Sequence, residues 1–232
     1  MVKMNRRQNI MVSAGWGVNL DGHYTQNLGQ IYDAIQKGFV TDAKGQLVPI
    51  QPLITKIRKA LVSGEKNEVS QLKKRLYSFT LSGTFSGGKR KIEHFETHSG
   101  RLQLDFDHLG YEAAGELKNH LAKDPHIELA AFSPSNTGLK AALLIPPCQT
   151  KDDHHMAFEA AKHYIKQNYG FEIDPSTKDL TRLFFITYDE DAFVAGNLRR
   201  PLSVEEWKPP QIKTKVPLQQ QLTSSAENKL AK

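Results

Sequence analysis

A chain of 232 residues is long enough to bury a substantial core, as one large domain or two small ones. Its 39% hydrophobic and 24% charged residues read as globular and soluble, and no apolar run approaches the roughly eighteen residues a membrane span requires. The net charge of +6 favours a polyanionic partner, and the single cysteine, Cys148, is read as excluding both an internal disulfide and any Cys-based zinc site.

At the N-terminus Lys3, Arg6 and Arg7 precede Ile10-Met11-Val12, a run too short for a signal segment, so the expected compartment is the cytoplasm. Residues 10–28 read as a strand and a turn-rich connection. Leu28 to Phe39 reads as a short helix stopping near Gly38, and 42–45 as a turn. Pro52 opens a helix through Ile54, Ile57 and Leu61 that ends at Gly64. A second helix runs from about Glu65 to Tyr77, with Lys73, Lys74 and Arg75 outside. Together they make a basic helical hairpin at about 52–77. The glycines of 79–91 allow backbone to approach a phosphate, with Lys89, Arg90 and Lys91 supplying charge; the plain alternative is a flexible hairpin tip. No Gly-Lys-Ser/Thr ending makes this a Walker A loop.

Gly100 to Gly110 is an apolar run carrying Asp105 and Asp107. Alternation puts both carboxylates on one side of a strand, with Leu104 and Phe106 facing a core. Paired carboxylates suit a hard divalent cation, Mg²⁺ or Mn²⁺; the plain alternative is a strand running into an Asp-rich turn. A helix follows over 111–123. The strand 127–132, the polar turn 133–138 and the strand 139–145 then form a hairpin in which Lys140 points to one sheet face. A helix spans about 152–168, capped by Asp152 or Asp153, with His154 and His155 as surface histidines. Residues 171–174 read as a strand ending in a carboxylate, and 182–189 as a further apolar strand. Cys148, after Pro146-Pro147, reads as a structural thiol. From Lys208 onward, Pro, Gln, Ser, Thr and Lys dominate, so 208–232 is a linker or disordered tail.

Several segments in order carry a resemblance: Ser82-Gly83-Thr84-Phe85-Ser86-Gly87-Gly88, Ser99-Gly100 leading into Leu104-Asp105-Phe106-Asp107, Phe132-Ser133-Pro134-Ser135 through Gly138-Leu139-Lys140, and Ile173-Asp174-Pro175 through Arg182 to Tyr188-Asp189-Glu190-Asp191. Between about Pro52 and Phe193 the chain resembles the primase-polymerase domains of mobile genetic elements, the VirE N-terminal-like branch of the archaeo-eukaryotic primase superfamily.

The resemblance implies an α+β fold: an RRM-like primase-polymerase sheet packed by helices, in one domain over 1–207 with a core at about 79–200. It implies a metal-dependent DNA primase or DNA polymerase acting on a single-stranded DNA template in replication of a mobile element. Asp105, Asp107 and a third acid, Asp174 or alternatively Asp189, would hold Mg²⁺ or Mn²⁺. Ser133, Ser135 and Lys140 would contact the nucleoside triphosphate. Lys140 stands where the family has histidine and is read as a phosphate contact; Asn136 stands where glycine is usual. Arg182 is placed to reach a phosphate, and Lys73, Lys74, Arg75, Lys89, Arg90 and Lys91 to track the nucleic-acid backbone. A replicative helicase is a possible partner. The alternatives are a single-stranded nucleic-acid-binding module without catalysis and a metal-dependent nuclease.

Overall fold

The computed structural model describes residues 9–18, 23–196 and 199–209. In chain order its elements are β1 (Met11–Trp16), β2 (Tyr24–Asn27), α1 (Leu28–Lys37), β3 (Phe39–Thr41), β4 (Leu47–Pro49), α2 (Gln51–Val62), α3 (Lys66–Lys73), β5 (Tyr77–Phe79), β6 (Gly83–Phe85), β7 (Phe95–His98), β8 (Arg101–Phe106), α4 (Tyr111–Leu121), β9 (Ile127–Phe132), β10 (Leu139–Leu144), α5 (Lys151–Tyr169), β11 (Phe184–Phe185), β12 (Phe193–Val194) and α6 (Val204–Trp207). This is a mixed α+β fold with antiparallel sheets. No helix among the described residues is long and apolar enough to cross a membrane.

Two four-stranded sheets organise the chain, in the orders β11-β5-β1-β2 and β12-β9-β10-β8. In the second, β8 and β9 both run antiparallel to the strand between them, so they are parallel to each other and α4 is the crossover that joins them. This split β-α-β arrangement forms the heart of an RRM-like sheet. After α5 the chain returns along the outer edge of β8, where the Asp174 N–H donates to the Asp105 carbonyl at 2.9 Å.

The second sheet is buried on both sides. One face packs Leu102, Leu104 and Phe106 of β8 against Leu117 and Leu121 of α4 and Phe158 and Ile165 of α5. Its other face places Leu129, Ala131 and Ala142 in the core built by β1, β5, α1, α2 and α3. Along β8 that second face is polar, made of Arg101, Gln103 and Asp105, all buried.

Several sequence expectations change. The second helix of the hairpin ends at Lys73, and Tyr77 starts a strand whose hydroxyl bonds Gln26. Residues 171–174 make a single ladder-like bond rather than a strand, and the apolar run 182–189 contributes only the two-residue β11. Thr150, not Asp152 or Asp153, caps α5, in a reciprocal capping box with Asp153. Gly83 lies in β6 against the Thr97 carbonyl, so close that a Cβ would collide with it; this glycine serves sheet packing, not a phosphate. The expected tail lies outside the described residues from 210 onward.

Candidate functional site

The polar row on β8 ends in an ion pair. Lys140 of β10 is the register partner of Asp105, and its Nζ lies 2.6 Å from Asp105 Oδ2, with both side chains almost wholly buried. The same ammonium sits 5.3 Å from the centre of the Phe184 ring, which stacks on Phe79. Beside the pair, Gln103 Nε2 donates to Asp105 Oδ2 at 3.4 Å, while its buried Oε1 has no hydrogen-bond partner among the described residues.

Asp107 follows the last residue of β8 and is exposed. Asp174 sits at the β8 edge. Its carboxylate accepts from the Ser176 N–H and hydroxyl and stands 3.4 Å from the Arg182 guanidinium. Burial opposes its charge, but the Ser176 bonds, with Arg182 and Lys140 nearby, hold the carboxyl below the usual aspartate range. Lys140 thus pairs with Asp105 and is near enough to Asp174 for the two charges to feel each other. Asp189 is committed elsewhere: it pairs with Lys118 at 3.0 Å and accepts the Phe132 N–H at 2.9 Å.

The hydroxyl-rich turn between β9 and β10 closes the site. Ser133, Ser135 and Thr137 form a chain of hydroxyl contacts of 3.3 and 3.0 Å. Asn136 adopts φ +59°, the left-handed conformation that its place in the turn demands. At Gly138 a Cβ would strike the Phe106 carbonyl, so the turn and the end of β8 can approach this closely only with glycine there. The Gly110 N–H donates to Thr137 O at 3.2 Å and ties the Asp107 loop to the turn. Among the described residues, Asn136 and His108 are the two non-glycine positions with positive φ. Both border the acids, and backbone in sparsely populated regions gathers at functional sites.

The basic residues divide. Lys73 reaches inward: its Nζ is 3.4 Å from Ser135 Oγ, and it feels Lys140, Asp107 and Asp105. Burial, with Lys140 beside it, lowers its pKa, while the two aspartates oppose the shift. Lys74, Arg75, Lys89 and Lys91 are exposed, the last 3.8 Å from Glu93. Arg90 is a structural tie, its guanidinium donating to the carbonyls of Thr181 and Val18.

Residues 71–193, just over half of the chain, match the family model described as BT4734-like, N-terminal domain. The chain belongs to that family. No curated protein and no solved structure matches it. In this BT4734-like chain the matched span holds Lys73, Asp105, Asp107, the 133–138 turn, Lys140, Asp174 and Arg182, whereas Arg58 lies before it. The Arg58 guanidinium nevertheless donates to Tyr188 O at 2.7 Å and Pro134 O at 3.4 Å, bracing the turn from α2. Sequence reasoning missed Arg58 and Gln103. Gln103 was detectable as the middle member of the alternating Arg101, Gln103, Asp105 row, but nothing local marks Arg58, whose partners lie far along the chain.

A second constellation was misread. His154 is 1% exposed rather than a surface residue, and its Nδ1 lies 3.1 Å from His98 Nε2. Among the described residues, His98, Cys148 and His154 are the group of three whose potential ligand atoms all lie within 4.8 Å of one another; Asp105, Asp107 and Asp174 do not draw together this closely. Burial, aided by Arg101, pushes the His98 imidazole down to about 4; burial and His98 push His154 down to about 3; burial lifts the Cys148 thiol to about 11.

Proposed function

We propose that the Asp105–Lys140 region is the nucleotide site of a metal-dependent DNA primase or polymerase working on a single-stranded DNA template. The observation that carries this reading is convergence: two acids at the end of one strand, a third on its edge, three cationic side chains and a hydroxyl-rich turn come together from six segments. Nucleotidyl transfer needs this combination, because a hydroxyl must be made nucleophilic while the charge of a departing pyrophosphate is neutralised.

The donor set fits Mg²⁺ or Mn²⁺, which take hard oxygen ligands, and Mg²⁺ keeps waters and uses one or two carboxylates with substrate phosphates rather than a full protein cage. The wide spacing of the three acids is compatible with that habit. Asp105, Asp107 and Asp174 would hold such ions, whose positive charge would supply acidification of the attacking 3′-hydroxyl and neutralisation of the phosphates. Lys140 swings between two anions in this reading: Asp105 when the site is empty of substrate and a phosphate when it is filled. Lys73 and Arg182 grip the triphosphate, Arg182 with its planar fork. Ser133 and Ser135 donate hydroxyl hydrogens to phosphate oxygens. The exposed Lys74, Arg75 and Lys89 hold the template backbone through salt-sensitive contacts.

One observation favours a second reading. The Lys140 ammonium already neutralises Asp105 at 2.6 Å, as in a single-stranded nucleic-acid-binding module that has no need of metal. The deciding experiment supplies labelled deoxynucleoside or ribonucleoside triphosphates, Mg²⁺ or Mn²⁺, and a single-stranded template with or without a primer. Template-dependent product that disappears in Asp107→Ala supports the polymerase. Template binding with no product under any of these conditions leaves the binding module, and strand cleavage without triphosphate identifies a nuclease.

A further inference from the structure

We propose that His98, Cys148 and His154 form a binding site for one borderline-soft transition-metal ion, Zn²⁺ in the first instance, that staples together the segments behind the acid site. This inference stands apart from the polymerase reading, because none of its residues belongs to the Asp105 constellation.

Its donors come from three segments. His98 ends β7, Cys148 lies between β10 and α5, and His154 sits in the first turn of α5. All three are buried, and their potential ligand atoms lie within 4.8 Å of one another. Two imidazoles and a thiolate select Zn²⁺ over Mg²⁺ or Ca²⁺, whose ligands are oxygens. A tetrahedral Zn²⁺ with bonds of about 2.0–2.3 Å spaces its donors on the order of 3.4 Å apart. The two histidine nitrogens, at 3.1 Å, therefore need to part by only a few tenths of an ångström. With three protein ligands the fourth position falls to solvent.

The surrounding hydrogen bonds define what binding must rearrange. A backbone hydrogen bond with Thr177 engages the His154 ring, leaving Nδ1 turned toward His98. Such a second partner is the usual orienting device for a metal-bound histidine. His98 Nδ1 accepts the Gly100 N–H at 2.9 Å, so its proton resides on Nε2 and is shared with His154. The ion takes the place of that shared proton. The His98 proton moves to Nδ1, the Gly100 N–H gives up its acceptor, and Cys148 loses its thiol proton, for a net release of one proton per ion. Thr177 belongs to the 3₁₀ turn Pro175–Lys178 that Asp174 caps, so the ion would hold the back of the segment that positions Asp174.

The test uses the full chain, freed of metal by chelator, then given Zn²⁺ or Co²⁺ and separated from unbound ion. We expect about one retained ion per chain by elemental analysis, and a Co²⁺ spectrum with tetrahedral visible bands and a thiolate-to-metal charge-transfer band. Cys148→Ser and His154→Asn each weaken binding on the order of 100-fold or abolish it, whereas His155→Asn, next in sequence but outside the cluster, and Asp107→Ala leave it unchanged. Should His154→Asn fail to fold, Cys148→Ser, which exchanges sulfur for oxygen, carries the test alone. No retained ion, a Co²⁺ complex without the charge-transfer band, or binding that survives Cys148→Ser but falls with Asp107→Ala each overturns the proposal.

Discussion

The two faces of strand β8 make the same backbone do opposite jobs. Leu102, Leu104 and Phe106 lock it to α4 and α5, while Arg101, Gln103 and Asp105, each one residue away, fill a buried polar row facing the other sheet. An apolar face gains from every methylene it buries. A polar face at the same depth persists only where each charge finds a partner, and here it does: Arg101 grips Glu128 with two bonds of 3.1 and 3.0 Å, and Asp105 holds Lys140. Burial alone therefore does not separate framework from chemistry. The polar row runs from a closed pair at Arg101–Glu128, through the half-satisfied Gln103, to the end where Asp107 is exposed.

Activity is the sharpest way to divide the faces. Asp105→Asn and Asp107→Ala are each expected to lower nucleotide incorporation about 100-fold or more, while Leu104→Ala leaves activity per folded molecule close to wild type. Equal activity losses for Leu104→Ala and Asp107→Ala would erase the distinction.

Stability divides them differently. Glu128→Ala strands the buried Arg101 and should cost about 3–5 kcal/mol, and Leu104→Ala about 2–5 kcal/mol through lost burial and a cavity. Asp107→Ala, at an exposed position, should stay within about 0.5 kcal/mol in denaturant titrations. A strongly destabilised Asp107→Ala would mean that Asp107 belongs to the framework.

The histidine pair next to β8 gives a pH signature. Both imidazoles are held below their ordinary value, to about 4 and about 3, so the unfolded chain binds more protons than the folded one below pH 6.5. Stability of the metal-free protein is full above that pH and is lost progressively as the pH falls through 4 toward 3. In His154→Asn the fall in thermal midpoint should be shallower, and an unchanged slope would refute the assignment.

The smallest effects separate neighbours on the basic segment. Lys73→Ala should raise the KM for nucleotide about tenfold with little change in the salt dependence of template binding. Lys74→Ala should weaken template binding a few-fold, and less as salt rises. Identical behaviour of the two variants would remove the inward role of Lys73.

Much of the framework could be read from local pattern. The helix over 28–37 with its stop at Gly38, the helix opened near Pro52, and the 127–132 and 139–144 hairpin all follow from periodicity and turn residues, which act over a few positions. That Lys140 shares a sheet face with Asp105 was likewise legible, through strand alternation. Misread segments were those whose fate depends on distant partners. The run 182–189 has the composition of a long strand, yet only Phe184 and Phe185 find a neighbour, β5.

The sequence by itself determined the α+β elements, the alternation that splits β8 into two faces, and the residue types of the acid site, because each rests on chain-local geometry. Only the tertiary structure decided which charges meet. It turned Lys73 inward and left Lys74 outside, spent Arg90 on two carbonyls and Asp189 on Lys118, and brought His98 to His154 across 56 positions of sequence. Charge pairing and ligand convergence depend on distances between segments, and those are set by how two sheets and their helices pack, which no local pattern encodes.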